Sequence, residues 1–251
     1  MKTLAIVQAR TASTRLPGKV LETIHHLTMV ERVLHRAAHV VGYDHVALAV
    51  PHSDVDLGSY WDNTVWGSNG DVLSRFVGVA NCFPEYNAFV RFTADCPLLD
   101  VGVSRSAVDV FERRQAEIVS TSPDMDGLDT EVFTRHALME AYDHATGTER
   151  EHVTLWMKRH LPYHEITMPR LGPIRWSVDD AGGLEFVRRV VGACLDCALG
   201  VPHHTNAGAS IGGGDRSLVI DLHTGTGGGL VECTAADILR ERMGDAWRYS
   251  L

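Results

Sequence analysis

The sequence has few cysteines, no long apolar run and no excess of basic residues. Its five cysteines are an odd number in a chain of 251 residues, which argues against the dense disulfide framework of small secreted domains. No apolar run approaches the roughly 20 residues that are needed to span a bilayer. Residues 3–8 predict a buried strand rather than a signal peptide. These absences indicate a soluble, cytoplasmic protein without a membrane partner.

Acidic residues outnumber basic ones in this chain, with 32 against 23 and a formal net charge of −9. A protein that binds nucleic acid non-specifically normally carries a basic excess, so no nucleic-acid partner is expected. The overall balance does not restrict one local pocket, because a few arginines can still gather around an anionic ligand. The hydrophobic content of 45% and the charged content of 22% are typical of a soluble globular protein.

The apolar pattern alternates between strands and helices along most of the chain. It predicts strands at residues 3–7, 45–50, 88–92, 118–120, 128–133, 163–167 and 174–178. It predicts helices at residues 30–41, 72–80, 103–114, 135–144, 150–160, 184–191 and 235–242. This alternation indicates an α/β fold whose mainly parallel sheet is covered by helices on both faces. Ligands of such sheets bind at the carboxyl ends of strands, where the polar loops after Val7, Phe92 and Val178 fall.

Two features near the C-terminus carry weaker signals. Residues 199–229 hold nine glycines, and neither glycine triplet matches a dinucleotide fingerprint, so this stretch favours a surface loop around a short β-like run at residues 217–222. Cys194 and Cys197 form a single C-x-x-C on one helix face. Zinc sites usually need two such pairs, so we interpret these thiols as core residues.

The loop at residues 8–19 carries the clearest functional signal. It directly follows an apolar strand and brings Arg10, Arg15 and Lys19 together with several hydroxyls and Gly18. A triphosphate needs backbone N–H donors, forked guanidinium groups and a lysine charge in one place. A merely solvated loop is the alternative, but three cations at one strand end of an acidic protein favour an anion-binding loop.

The run from residue 6 to residue 19 resembles the nucleotide loop of the cytidylyltransferases, especially the spore-coat polysaccharide branch and the related CMP-KDO synthetases. Further segments resemble the same family in the same order, at residues 67–75, 90–100, 126–133, 150–154 and 175–179. The resemblance implies a three-layer, Rossmann-like nucleotidyltransferase domain, which we place at residues 1–198. We predict that residues 199–251 form a glycine-rich insertion and a C-terminal helix packed on the same domain.

The resemblance also implies an activity. It predicts an enzyme of polysaccharide biosynthesis that uses CTP to transfer CMP to a small acidic acceptor such as a sugar acid, with release of pyrophosphate. Mg²⁺ is the expected cofactor, and a homodimer is the expected assembly. Two alternatives remain open: a nucleotidyltransferase that acts on a phosphate or phosphonate acceptor, and a module that binds a nucleotide without turnover.

Individual residues receive roles from the same resemblance. Asp95 and Asp179 would hold the metal, and Arg15 and Lys19 would bind the leaving phosphates, so these four form the predicted catalytic set. Magnesium commonly uses one or two carboxylates together with phosphate oxygens, and both aspartates follow predicted strands. The predicted nucleotide-binding residues are Gln8, Ala9, Arg10, Ser13, Thr14, Arg15, Lys19, Ser68, Asp71, Arg75, Arg91, Thr93 and Asp95.

The acceptor side is predicted from the later matched segments. Arg150 and Arg175 are suited to clamp an acidic acceptor, and His152 is suited to orient it or to accept a proton. A hydrogen-bonded core histidine is the alternative for His152. The predicted acceptor-binding residues are Asp129, Glu131, Arg150, Glu151, His152 and Arg175.

Overall fold

A computed structural model describes residues 2–121, 126–167, 175–198, 217–221 and 230–234. The strands are β1 (Thr3–Gln8), β2 (Thr23–Ile24), β3 (Leu27–Thr28), β4 (Val46–Pro51), β5 (Thr64–Gly67), β6 (Ala88–Thr93), β7 (Ile118–Thr121), β8 (Glu131–Thr134), β9 (Tyr163–Ile166), β10 (Ser217–Asp221) and β11 (Leu230–Thr234). The α-helices are α1 (Met29–Val41), α2 (Val72–Cys82), α3 (Val101–Arg114), α4 (Arg135–His144), α5 (Leu155–His160) and α6 (Ala181–Ala198).

Seven strands form the central sheet, in the order β5-β4-β1-β6-β8-β7-β9. Neighbouring strands are parallel except at β8, which runs antiparallel to both β6 and β7. Residues 4–7 of β1 and all of β4 are buried, as expected for strands that are covered on both faces. The sheet therefore confirms the mainly parallel α/β architecture.

Helices cover both faces of this sheet. On one face α1 and α3 pack through Leu34 and Phe111 against alternate residues of β1, such as Val7. On the other face α2, α4 and α5 pack against the remaining β1 residues, such as Ile6. Because successive strand side chains point to opposite faces, this division gives the three predicted layers.

Local sequence signals begin two of these helices. The Thr28 hydroxyl accepts from the Glu31 N–H, and the Glu31 carboxylate accepts from the Thr28 N–H, so the two form a capping box at the start of α1. Asp71 caps α2 by accepting from the Ser74 N–H at 2.9 Å, as the sequence predicts. These caps fix where each helix begins relative to the preceding loop.

A third apolar cluster lies beyond the carboxyl end of β6. It joins the β2–β3 hairpin to α6 through Ile24, Trp176, Val178 and Val187, and Trp176 is almost fully buried. Residues 175–178 lead from this cluster into α6. The cluster thereby places the residues that precede α6 at the end of the central sheet.

The predicted strand at 174–178 is wrong for its described residues 175–178, which form no strand. Two isolated backbone bonds hold this segment, from Trp176 N–H to the Asp126 carbonyl and from Val178 N–H to the Asp95 carbonyl, both at 2.8 Å. Isolated bonds arise because the segment crosses the strand ends instead of running along a neighbouring strand.

Several other boundaries differ from the sequence prediction. Strand β8 starts at Glu131 and not at residue 128, because a turn at Gly127 with φ +94° precedes it. The helix predicted at 150–160 is a 3₁₀ turn at Gly147–Arg150 followed by the short helix α5. The edge strand β5 was not predicted, since four residues carry little periodic signal.

The C-terminal region is described only in part. Strand β10 covers most of the predicted β-like run at residues 217–222 and pairs antiparallel with β11. The predicted helix at 235–242, the side chains of Cys194 and Cys197, and most of the glycine-rich stretch lie outside the described residues. Within the part of the chain that the structure describes, no helix is both long enough and apolar enough to cross a membrane.

Candidate active site

The candidate site lies where the strand order of the sheet reverses. Strand β1 pairs in parallel with β4 on one side and with β6 on the other, and its last residue Gln8 lies opposite Thr93. The loops that follow β1 and β6 therefore leave the same edge of the sheet beside each other. Such a switch point is the usual place for a ligand in an open α/β sheet.

The loop at residues 8–19 is a closed turn with defined anchors. The Ala9 N–H donates to the Ala49 carbonyl at 3.1 Å, and the Gly18 N–H donates to the Thr11 carbonyl at 2.9 Å. Gly18 has φ +71°, a conformation that glycine adopts without steric cost. This turn directs the chain into the short 3₁₀ helix Lys19–Leu21 and carries the Lys19 side chain inward.

The loop forms one wall of a cavity of about 380 Å³. Five cationic side chains line the cavity together with two aspartates and several small polar residues. The lining residues are Gln8, Ala9, Arg10, Ala12, Ser13, Thr14, Arg15, Lys19, Val20, Val72, Arg75, Arg91, Thr93, Ala94, Asp95, Glu151, His152 and Asp179. The sequence predicts most of this set, and the structure brings those residues to one place.

The Lys19 ammonium bridges the two aspartates that the sequence singles out. Its Nζ lies 2.7 Å from Asp95 Oδ2, 3.3 Å from Asp179 Oδ1 and 2.7 Å from the Val178 carbonyl oxygen. Lys19 is only 8% exposed, so these contacts replace most of its hydration. The arrangement shows that both carboxylates can contact one cation at the floor of the cavity.

Asp179 is held by further cations. Arg15 Nη2 lies 2.9 Å from its Oδ1, and Arg175 Nη1 donates to its Oδ2. Burial by itself disfavours ionisation, but Lys19, Arg175 and Arg15 outweigh it and lower the pKa of Asp179. The carboxylate is therefore charged at neutral pH, as a cation ligand must be.

Arg75 is the buried cation of the opposite wall. It is 2% exposed, and its Nε and Nη1 atoms have no hydrogen-bond partner among the described residues. Burial, followed by the charge of Arg10, lowers its pKa, whereas the charges of Asp54 and Asp71 act in the opposite direction. A buried guanidinium with unsatisfied donors is costly without a ligand, so its position favours an anionic or hydrogen-bond-accepting ligand.

A chain of hydrogen bonds fixes Arg91 at the centre of the cavity. Arg91 Nε donates to Gln8 Oε1 at 3.0 Å, and Arg91 Nη1 lies 2.5 Å from Glu131 Oε2. Glu131 is buried and also contacts Lys158 Nζ and the Thr154 hydroxyl. Burial opposes its charge, but Arg91 and then Lys158 lower the pKa of Glu131 to about 2. Glu131 thus holds Arg91 from behind and does not line the cavity.

Other predicted residues also lie outside the cavity lining. Ser68 accepts from the Asp71 N–H at 3.1 Å, and Asp71 is engaged by the start of α2 and by Arg150, whose Nε lies 2.7 Å away. Arg150 donates to backbone carbonyls as well, so its guanidinium joins two parts of the fold. These contacts engage Ser68, Asp71 and Arg150 within the fold, and none of the three lines the cavity.

Two predicted acceptor residues, Arg175 and Asp129, contact the turn at residues 126–127. Arg175 Nε donates to Asp126 Oδ2 at 2.6 Å, and Asp129 Oδ1 accepts from the Gly127 N–H at 3.2 Å. Neither side chain lines the cavity. Among the predicted acceptor residues, the structure brings only Glu151 and His152 to the cavity, where Glu151 Oε1 lies 3.5 Å from Arg10 Nη2.

Sequence reasoning missed several residues of this site. Ala12, Val20, Val72 and Ala94 line the cavity but have no side-chain chemistry that could have singled them out. Asp54 was also missed, although it is 7% exposed and its carboxylate accepts from both the N–H and the hydroxyl of Thr11. Its place in a polar turn directly after a buried strand was the available signal.

The donor set at Asp95 and Asp179 fits a divalent metal ion. Two carboxylates are the number that magnesium commonly takes from a protein when phosphate oxygens and water complete its shell. The Lys19 ammonium already lies where one cation contacts both of them. Within the described ranges, no cluster of three or more His, Cys, Asp or Glu residues is arranged to hold a metal.

Several known proteins are similar to this chain in sequence. An uncharacterized protein of Methanocaldococcus jannaschii is 34% identical over 161 residues, which are 61% of this chain and 66% of that protein. The 3-deoxy-manno-octulosonate cytidylyltransferase of Sinorhizobium medicae is 30% identical over 125 residues, or 47% of this chain and 50% of that enzyme. The matches thus span about half to two thirds of these relatives.

A third relative is the spore coat polysaccharide biosynthesis protein SpsF of Bacillus subtilis, 26% identical over 175 residues, or 65% of this chain and 72% of that protein. Two solved structures share the fold. A cytidylyltransferase from Leptospira borgpetersenii has a TM-score of 0.69 at 24% identity and covers 76% of this chain and 87% of its own. A CMP:2-keto-3-deoxy-manno-octonic acid synthetase complexed with CTP has a TM-score of 0.60 at 16% identity, with 76% and 99% covered.

The sequence model of one family, described as Cytidylyltransferase, matches residues 4–174. This match includes the loop at residues 8–19 and the carboxyl end of β6, both of which line the cavity. The resemblance and the fold that it implied are therefore confirmed, and the chain belongs to the cytidylyltransferase family, whose members are nucleotidyltransferase enzymes.

Proposed function

We propose that this chain transfers CMP from CTP to a small acidic acceptor, with release of pyrophosphate and with the aid of Mg²⁺. The observation that carries the proposal is one cavity whose lining combines five cationic side chains with the paired carboxylates Asp95 and Asp179. Plain nucleotide binding needs the cations but does not need paired carboxylates. Family membership and the relatives named as CTP-using enzymes support CTP as the donor.

The triphosphate would lie along the loop wall. Arg15 and Lys19 would bind the leaving phosphates, and Arg10, which lines the same cavity, would lie near the α- or β-phosphate. Backbone groups at Ala9 and the side chains of Arg75 and Arg91 remain for the base and the ribose. Catalysis of this kind depends mainly on positioning and on charge stabilisation at the reacting phosphorus.

Asp95 and Asp179 would hold the metal ion, which supplies Lewis-acid stabilisation of the phosphate charge when it is bound. For the metal to bind, Lys19 would have to leave the two carboxylates, because its Nζ contacts both of them. A bound triphosphate offers the ammonium other anionic partners. Lys19 would then bind the leaving pyrophosphate while an acceptor oxygen attacks the α-phosphorus in line.

The acceptor would enter beside Glu151 and His152, the predicted acceptor residues that line the cavity. Arg10 and Glu151 form an ion pair at 3.5 Å with both side chains about half exposed, so an acidic acceptor can compete for Arg10. His152 would orient the acceptor hydroxyl or accept its proton. A homodimer remains our expectation for the assembly.

Turnover of nucleotides tests this proposal directly. The protein is incubated with each of the four NTPs, Mg²⁺ and a panel of sugar acids, and pyrophosphate release is measured. We expect turnover with CTP, whereas a lack of CTP preference with every acceptor would refute the cytidylyl assignment. The product mass distinguishes a CMP–sugar acid ester from a phosphoanhydride or phosphonate product.

Variants of the metal ligands separate catalysis from binding. Asp95→Asn and Asp179→Asn should each lower turnover by at least about a hundredfold while CTP still binds, because the phosphates retain their arginine partners. Binding is measured by calorimetry in the absence of acceptor. Unchanged turnover in both variants would contradict the metal assignment.

A further inference from the structure

Asp54 and Thr11, which is itself a residue of the loop at residues 8–19, do not line the cavity. We infer that Asp54 is a positioning residue, which fixes the loop at residues 8–19 through Thr11 and thereby sets the affinity for the nucleoside triphosphate. The inference rests on the proposed function, because that function makes the loop a triphosphate site. Neither residue is expected to touch the nucleotide.

The contact between the two residues is specific and part-buried. The Thr11 N–H donates to Asp54 Oδ2 at 2.6 Å, and the Thr11 hydroxyl donates to Asp54 Oδ1 at 2.9 Å. The Ser53 hydroxyl donates to the same Oδ1 at 3.1 Å. Hydrogen bonds to a charged, 7% exposed carboxylate are among the stronger ones in proteins, so the peptide before Thr11 is held in one orientation.

Thr11 transmits this constraint to the rest of the loop. Its carbonyl oxygen accepts from the Gly18 N–H at 2.9 Å, which closes the turn between the two residues. Gly18 directly precedes Lys19, whose ammonium reaches the catalytic carboxylates. One residue therefore connects Asp54 to the start of the loop through its N–H and to the end of the loop through its carbonyl.

Helix capping does not explain why Asp54 is buried here. The residue precedes the 3₁₀ helix Val55–Tyr60, but its side chain makes no capping hydrogen bond to that helix. Both carboxylate oxygens are directed to Thr11 and Ser53 instead. The geometry therefore assigns the carboxylate to the loop and not to the element that follows it.

The charge of Asp54 also suits the wall behind which it lies. Arg10 and Arg75 both line the cavity, and their like charges repel each other. Asp54 lies close enough to Arg75 to stabilise its cationic form. A buried negative charge on the far side of the loop lets these cations lie close together before a ligand arrives. Such preorganisation lowers the cost of binding an anion.

Three variants test the inference through CTP affinity. Asp54→Ala removes both contacts and the charge, Asp54→Asn can keep hydrogen bonds but not the charge, and Thr11→Val removes only the hydroxyl contact. Loss of charge-assisted bonds of this kind should weaken CTP binding at least about tenfold for Asp54→Ala. The other two variants should show smaller losses, and Thr11→Ser should restore wild-type affinity.

The measurements are calorimetric CTP binding to the full chain, steady-state kinetics and thermal unfolding. We expect KM for CTP to rise more than kcat falls, which a purely structural role would not produce. Thr134→Ala serves as the control, because it removes the cap of α4, where the Thr134 hydroxyl accepts from the Ala137 N–H, far from the loop. It should lower the unfolding temperature without changing CTP affinity.

The outcomes distinguish this inference from the proposed function. If the wild-type chain binds no nucleoside triphosphate, the proposed function fails and this inference fails with it. If the wild type binds CTP and the variants Asp54→Asn and Thr11→Val bind it equally well, only the role of Asp54 is refuted. Should Asp54→Ala not fold, the milder two variants decide, and in the Thr11→Val background the effect of Asp54→Asn should shrink.

Discussion

Glu131 gives a quantitative prediction about how the site is supported. Its carboxylate is 4% exposed and contacts Arg91 and Lys158, each at 2.5 Å, and Thr154 at 2.7 Å. These partners lower its pKa from the ordinary 4.5 to about 2. At about 1.4 kcal/mol for each unit, ionic pairing contributes roughly 3 kcal/mol to the free energy of unfolding at pH 7. Glu131→Gln should therefore destabilise the chain by about that amount.

The pH dependence has a definite sign. Because the pKa of Glu131 is lower in the folded state, its contribution is complete above pH 4.5 and disappears as the pH falls through the folded value near 2. As the pH falls, Glu131 takes up a proton in the unfolded chain before it does so in the folded chain, so acid destabilises the wild type through this group. The Glu131→Gln variant lacks the carboxylate and therefore lacks this effect. Between pH 7 and pH 3.5 the difference between the two proteins should shrink by about 1.4 kcal/mol.

Urea denaturation of both proteins at several pH values between 3.5 and 7 measures this difference. Glu140→Gln is the matched control, because the Glu140 side chain is 41% exposed and forms only loose contacts with histidines; its effect should stay within about 0.5 kcal/mol. A difference for Glu131→Gln that is the same at pH 3.5 and pH 7 would refute the ionic explanation. The loss would then reflect packing alone.

Further predictions concern the turn, the metal and the buried cation. Gly127→Ala should lower the free energy of unfolding by at least about 2 kcal/mol in a urea titration, because a Cβ would lie 2.2 Å from the Ser177 nitrogen and φ is +94°. Gly70→Ala is the control and should be nearly neutral, because a Cβ there meets nothing within 4 Å. Lys19→Met should raise the Mn²⁺ affinity of the nucleotide-free protein at least about tenfold, because the ammonium no longer occupies the two carboxylates. Electron paramagnetic resonance of free Mn²⁺ measures this affinity, and equal affinities of variant and wild type would contradict the competition. Arg75→Met should stabilise the nucleotide-free chain by about 1 kcal/mol or more and weaken CTP binding, since it removes unsatisfied buried donors. Lower stability together with unchanged CTP affinity would contradict the role of Arg75 as a ligand-facing cation.

The sequence predicts the parts of the site that lie on continuous segments. The loop at residues 8–19 and Asp95 carry local signals, because strand, polar loop and charge follow one another directly. Asp179 is also brought to the cavity, although the strand expected before it does not form. Its position depends on how residues 175–178 cross the strand ends. Side-chain packing determines this crossing, and the apolar periodicity of the sequence does not show it.

The residues whose partners are distant in sequence were harder to interpret. Arg150 looks like a free anion clamp in the sequence, but it pairs with Asp71, 79 positions away. Glu131 was placed with the acceptor residues, whereas the pairing of β6 with β8 sets it opposite Arg91. In both cases the residue type was informative, and only the register of tertiary contacts determines whether the side chain faces the ligand or supports one that does.

The supporting carboxylates explain how an acidic protein can gather several cations in one cavity. Arg91 is held from behind by Glu131, and the loop of cations is held by Asp54, so negative charge forms the outer layer of a positive wall. Arg75 differs, because two of its buried donors have no partner among the described residues. Preorganised cations bind an anion without further reorganisation. A cation whose donors are unsatisfied gains the most hydrogen bonding when the anion binds. The ligand of this cavity should therefore place an acceptor atom against Arg75, opposite the carboxylates that Lys19 bridges.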